Sequence, residues 1–327
     1  MWFEKLTGFK ETSPAEVRRQ LKLSGDTLTS AVNGSSFVCG TLDVISLAEL
    51  RKQSAAIAKG SPLRVTEQVA NVQDLHADAT NTGALFQVAS QFNLLEMVSP
   101  NVTPEQGVGI YENDFTQGPA CAIAAGAGTI YRNYFAPTHG KIGQSATHQI
   151  DCLSELGEAL QNTDGRLWKM SNGYALASAE GLDEISKRLQ TASEDELEEL
   201  RGKLKVGFQW GIQVTLKDCS HLVSQVYCSA MPVAYSPHSS EAWQGFAVLI
   251  LEAAYEATLC AAVLNAQKTG NNTLYLTLLG GGAFGNKESW IMDAIDRAIK
   301  IHAHSGLDVR IVSYGSSNPA LAKLCNG

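Results

Sequence analysis

The run Gly280-Gly281-Gly282-Ala283-Phe284-Gly285 carries the strongest chemical signal in this chain. It follows Thr273 to Leu279, a short apolar segment of β-forming residues, and precedes a stretch from Lys287 to His304 with Trp290, Ile291, Ala294, Ile295 and Ala298 at helical spacing. A glycine loop between a strand's carboxyl end and a helix's amino end offers free N–H groups and a favourable dipole, so it can hold a phosphate. The run formally satisfies G-x-G-x-x-G, but the dinucleotide fingerprint expects an acid at the end of the next strand, and here Asp308 begins it. No Gly-Lys-Ser/Thr follows at P-loop spacing. A plain packing turn is the alternative, although such a turn seldom needs four glycines in six residues.

A second polar set lies upstream. Asp74 to Ala79 reads as a strand ending in a corner, Thr80-Asn81-Thr82-Gly83, and Ala84 to Met97 reads as a helix with Leu85, Val88, Ala89, Phe92 and Leu95 inward. Asp78, Asn81, Thr82, Gly83, Gln87, Gln91, Asn93 and Glu96 then cluster around a strand-to-helix corner, where α/β sheets receive ligands. The loop from Pro100 to Pro119 adds Tyr111 and Phe115, which stack on a base or anchor the loop, together with Asp114 and Gln117. Arg132 is a pyrophosphate partner or a surface charge. His139 and His148 have no third ligand in evidence, so neither a metal nor a cofactor is expected.

These groups need elements to position them. The 327 residues alternate apolar strands and helices, which implies an α/β fold with a mainly parallel or mixed sheet sandwiched between helices. Capping boxes at Ser13 and Ser46 begin helices in an amino-terminal extension, residues 1–64. The main domain, 65–327, carries an insertion at about 138–205 that ends in acidic helices, one capped at Ser193. Strands are expected at Phe208 to Val214 and Val223 to Ser229, and a long helix from Trp243 to Gln267. That helix holds the most apolar stretch, but Glu252 and Glu256 within it favour a core helix over a membrane span.

Composition excludes several functions. A net charge of −8 without a basic run disfavours sequence-independent nucleic-acid binding. The seven cysteines form no C-x-x-C pair and are odd in number, which points to reduced thiols and a cytoplasmic setting. No secretory signal opens the sequence.

The stretch from Leu278 to Ile295 resembles the phosphate-binding loop of poly(ADP-ribose) glycohydrolases and related macrodomains. Asp78-Ala79-Thr80-Asn81 is similar to the family's Asp-x-x-Asn at a strand end. The resemblance implies a macrodomain-like fold that binds ADP-ribose or a related nucleotide, with an ADP-ribosylated macromolecule as the substrate of a hydrolase. It places the diphosphate on Gly280 to Gly285, the distal ribose at Phe284 and a ribose hydroxyl at Asn81. The chain departs from the family where Gln91-Phe92-Asn93 stands in place of Gln-Glu-Glu and the glycine triplet shrinks to Gly83. Both family acids are thus absent. If hydrolysis occurs, Glu96 or Asp114 must carry it; otherwise the chain is a non-catalytic sensor.

Overall fold

The computed structural model describes residues 1–57, 60–216 and 219–325. Its centre is a seven-stranded mixed sheet built from β1 (Thr41–Ser46), β2 (Arg64–Val69), β3 (Leu85–Ala89), β4 (Lys205–Gln213), β5 (Leu222–Cys228), β6 (Thr273–Leu276) and β7 (Asp308–Ser313), in the order β1-β4-β5-β3-β6-β7-β2. The five strands β5, β3, β6, β7 and β2 run parallel, and β4 pairs antiparallel with both β1 and β5. This is the α/β layout expected, with the parallel strands buried by helices.

The helices relevant to the site are α1 (Leu47–Ala55), α2 (Val72–Ala77), α3 (Gln117–Ala124), α4 (Gly126–Tyr134), α5 (Ala179–Thr191), α6 (Glu194–Gly202), α7 (Ser240–Thr269) and α8 (Glu288–Ile301). The caps read from sequence form: Ser13, Ser46 and Ser193 each accept a backbone N–H three residues on, and Ser193 with Glu196 completes the reciprocal box. Helix α7 ends at Gly270 in the left-handed conformation, φ 77°. It is long and apolar enough to cross a membrane, yet 78% of its most apolar window is buried inside the fold, as a core helix requires. It packs against α1, α5, α6 and α8 and against the sheet.

The two elements read around the upstream corner are reversed. Asp74 to Ala79, expected as a strand, lies largely in α2, because Asn71 accepts the N–H of Gln73 and starts a helix there. Ala84 to Met97, expected as a helix, contains the central strand β3 and then an irregular loop. The apparent helical spacing arises because β3 is buried on both faces, so almost every side chain in it is apolar. Its one polar exception, Gln87, donates to Thr258 on α7 at 2.9 Å. Beyond β3, Leu94 takes φ 65°, which no helix permits. The alanine-rich stretch after the long loop forms two helices, α3 and α4, that meet at Ala125.

The first 40 residues make helical turns and a three-stranded meander, Leu21–Ser24, Thr27–Ser30 and Ser36–Val38, around a second apolar cluster shared with α3 and α4. The segment 138–205 supplies α5, α6 and a hairpin, Trp168–Ser171 with Tyr174–Ala177.

Candidate functional site

Strands β3 and β6 pair only at Leu85 with Leu274 and Phe86 with Tyr275, and then they diverge. Side chains replace the missing ladder: Thr277 donates its N–H to Gln87 Oε1 at 3.2 Å, and the Gln117 amide bridges the carbonyl of Gln87 (2.8 Å) and the N–H of Ala89 (2.9 Å). Past this splay, at the carboxyl ends of β3, β5 and β6, lies a cavity of about 240 Å³. It is the position at which open α/β sheets bind ligands.

One wall is the glycine loop. Gly280, Gly282, Ala283 and Phe284 line the cavity, whereas Gly281 and Gly285 do not. The loop is pinned from beneath: Asn286 donates its side-chain amide to the Met231 carbonyl at 2.8 Å and its N–H to Gly280 at 3.0 Å, and Tyr255 accepts the N–H of Leu279 at 2.7 Å. Gly280, at φ 74°, has no room for a side chain, since an added Cβ would lie 2.4 Å from Ala230 Cβ. Gly282 is the opposite case, with nothing within 4 Å of an added Cβ. Among the described residues, the N–H groups of Gly282, Ala283 and Phe284 have no intramolecular acceptor.

The facing wall comes from the loop after β3 and the first turn of α3: Ser90, Gln91, Glu96, Met97, Val98, Asp114, Thr116, Gln117 and Gly118. Gly118 abuts β3 so closely that an added Cβ would sit 1.9 Å from the Ala89 carbonyl oxygen and 3.2 Å from Glu96 Cγ. A ring trio closes one end. Phe284 stands 5.2 Å from Tyr174 and 5.5 Å from Tyr235, and Tyr174 donates its hydroxyl to Met97 O at 2.7 Å. Burial, then Tyr235 and the nearby Asp114 charge, raise the Tyr174 phenol above its ordinary range.

Two acidic residues line the cavity, and the settings of their carboxyl groups differ. The Glu96 side chain is wholly buried and accepts two hydrogen bonds from Arg132 Nη2, at 3.0 and 3.2 Å. Burial pushes its pKa up to about 7, although Arg132 and Tyr111 pull the other way. Arg132 is no surface charge: it also donates to Leu94 O and the Tyr227 hydroxyl and lies 3.8 Å over the Tyr227 ring. Asp114 is only half-buried. One of its oxygens accepts the N–H and hydroxyl of Thr116, at 2.9 and 2.7 Å, and the other has no protein partner among the described residues.

The structure thus brings Gln91, Glu96, Asp114, Gly280, Gly282, Ala283 and Phe284 onto one cavity. Phe115, 94% exposed, stands in water between two wall residues. Tyr111 is buried behind the wall, its hydroxyl accepting the Glu96 N–H at 3.0 Å, and Asn93 is buried with its amide donating to Gln149 at 2.8 Å. Asp78, Asn81, Thr82 and Gly83 fall elsewhere. They precede β3 rather than follow it, so a strand of five residues, about 15 Å, separates them from the cavity. There Asp78 caps Thr80, Asn81 binds the Tyr275 hydroxyl and Leu75 O, and Gly83 receives the Asn265 amide. Tyr174, Tyr235, Ser90 and Asn286 were not singled out by sequence. Only Asn286, directly after the glycine run, carried a local signal.

No protein-family model and no curated protein matches the chain. Among solved structures, it is similar to the poly(ADP-ribose) glycohydrolase of Thermomonospora curvata, with 13% identity, 94% of each chain covered and a TM-score of 0.46. It is also similar to a point mutant of the Deinococcus radiodurans poly(ADP-ribose) glycohydrolase in complex with ADP-ribose, with 10% identity over 87% of this chain and 95% of that one, TM-score 0.46. The Thermomonospora curvata enzyme bound to the inhibitor ADP-HPD matches with 11% identity over 94% of this chain and 93% of that one, TM-score 0.40.

Proposed function

We propose that this chain binds ADP-ribose or a closely related nucleotide in the cavity, with the diphosphate on the glycine loop and the distal ribose toward Phe284. The observation that carries this reading is the run of N–H groups from Gly282 to Phe284, which have no intramolecular acceptor among the described residues, on a loop otherwise tightly pinned. Backbone donors at the end of a buried strand suit a diphosphate, and the cavity needs no basic side chain to receive one. Gly282 is the position to test, because a side chain there meets open space in the protein and would cover those donors. Calorimetry with ADP-ribose should show binding by the native chain and at least a tenfold loss in Gly282→Val, at unchanged melting temperature. Equal affinity in the two proteins would remove the loop from the site.

Hydrolysis of an ADP-ribosyl linkage is the second reading, and Asp114 favours it. Asp114 reaches the cavity with one oxygen unoccupied, beside the rings that close its distal end, whereas the Glu96 carboxyl is sealed behind the wall. A carboxyl group so placed can protonate a leaving group or activate water, which is worth about 10² to 10⁴ in rate. Asp114→Asn keeps the cap on Thr116, so it should retain ADP-ribose affinity within about threefold while losing about 10² to 10⁴ in turnover of ADP-ribosylated protein. Tight binding without turnover of any ADP-ribosylated substrate by the native protein would leave a sensor.

A further inference from the structure

The amino-terminal segment places a half-buried carboxylate, Glu11, against the loop that precedes the cavity wall. Glu11 Oε1 accepts the N–H of Val108 at 2.9 Å and the Tyr134 hydroxyl at 2.6 Å, and Oε2 accepts the N–H of Gly109 at 2.6 Å. The loop is moulded to it. A Cβ added to Gly107 or Gly109 would lie 2.5 or 2.7 Å from the carboxyl group. Trp2 reinforces the clasp by donating its indole N–H to Val108 O at 3.2 Å and its main-chain N–H to Glu112 at 2.9 Å. Burial raises the Glu11 pKa, with Tyr134, Val108 and Gly109 opposing, and no ion pair among the described residues compensates for that burial. A carboxylate is kept in such a place only when it is fully hydrogen-bonded.

What it holds is the 3₁₀ turn Gly109–Asn113. That turn leads directly to the cavity wall. Asp114 donates its N–H to Tyr111 O at 3.1 Å, and the Tyr111 hydroxyl accepts the N–H of Glu96 at 3.0 Å. Glu11 itself does not line the cavity.

We infer that Glu11 is a positioning residue for the cavity: its carboxylate fixes the 109–113 turn and, through it, the Asp114 side chain and the Glu96 main chain. The inference rests on the ligand reading above, and it specifies which group outside the cavity sets the affinity. A double-mutant cycle on the full chain tests it, with Glu11→Gln, Asp114→Ala and the double variant titrated with ADP-ribose, and amide exchange of 107–116 followed without ligand. Glu11→Gln keeps the shape but replaces one acceptor oxygen with a donor facing N–H groups. Each single variant should lose about tenfold in affinity, and the double variant should be no weaker than the weaker single, because both act through one wall. Exchange at 107–116 should quicken in Glu11→Gln while the α7 amides keep their protection. Additive losses, native affinity in Glu11→Gln, or unchanged exchange would each overturn the assignment. If the native chain binds no ADP-ribose, the ligand reading fails, and the exchange arm alone decides whether Glu11 holds the turn.

Discussion

Glu96 marks the start of a buried polar run that crosses beneath the sheet. Its partner Arg132 donates to the Tyr227 hydroxyl, which donates to Gln225 Oε1 at 2.8 Å, and Gln225 Nε2 lies 3.0 Å from His76 Nε2. The far end fixes a tautomer, because His76 Nδ1 lies 2.8 Å from Val72 O and takes the proton, leaving Nε2 to accept from Gln225. A second proton would set two donors face to face. Burial, against the Val72 contact and with His221 nearby, lowers the His76 pKa to about 4. Between its ordinary value of 6.5 and 4 the unfolded chain takes a proton that the folded chain refuses, so stability falls as pH drops through that window, by up to about 3 kcal/mol. Glu96, raised to about 7, acts in the opposite sense over part of the range, losing its contribution as pH rises. The difference between native protein and His76→Gln isolates the histidine. Urea melts at pH 7 and pH 5 should show the native protein losing stability relative to the variant on acidification, and an identical change in the two proteins would refute the neutral buried imidazole.

At the scale of elements, glycine distinguishes an open cavity wall from a packing contact. Gly118 and Gly282 both line the cavity, yet the Cβ of one would strike the Ala89 carbonyl at 1.9 Å and that of the other would meet nothing. Gly118→Ala must push the start of α3 off the end of β3, and overpacking of that kind costs about 1 to 3 kcal/mol. Gly282→Ala should leave stability unchanged, and equal denaturation midpoints for the two variants would refute the close approach. The glycine loop was legible in sequence because its strand, turn and helix are contiguous, and each has its own local signal. The upstream corner was not. Periodicity cannot separate a strand buried on both faces from one side of a helix, and the cue that settled it, the splay of β3 from β6, depends on Thr277 and Gln117, distant in sequence. Glu96 and Asp114 were nonetheless placed by their loops on the cavity, while Asp78 and Asn81, read at the wrong end of the strand, were not. Tyr174 and Tyr235 come from a hairpin and a loop that no local pattern ties to the site.

Across the whole molecule, the densest ion-pair network lies away from the cavity. On the helical layer built around α7, Glu256 receives Arg51 of α1 at 2.5 and 2.7 Å and Arg297 of α8 at 2.6 Å, and both arginines also pair with Glu198 of α6. Arg201 of α6 extends the network to Glu252 at 2.7 Å. Three helices are thereby tied through one nearly buried carboxylate, 4% exposed, and Glu198 and Arg201 join α6 to them. Burial pushes the Glu256 pKa up, but the hydrogen bonds from Arg51 and Arg297 outweigh it and the net shift is downward. Its contribution is therefore present above the ordinary carboxyl range and is lost as pH falls through the lower folded value. Glu256→Gln removes the charge and leaves two arginines facing an amide. Breaking a fully buried pair costs about 3 to 5 kcal/mol, and a smaller loss of about 2 to 3 kcal/mol follows here because Glu198 still serves both cations. No atom of Glu256 touches the cavity, so ADP-ribose affinity should be unchanged at temperatures where the variant remains folded. Urea denaturation and calorimetry on the same preparation test both halves. A variant as stable as the native chain would make the network ornamental, and one that is stable but binds poorly would mean that the helical layer and the cavity are coupled through α7, whose Tyr255 supports the entry to the glycine loop.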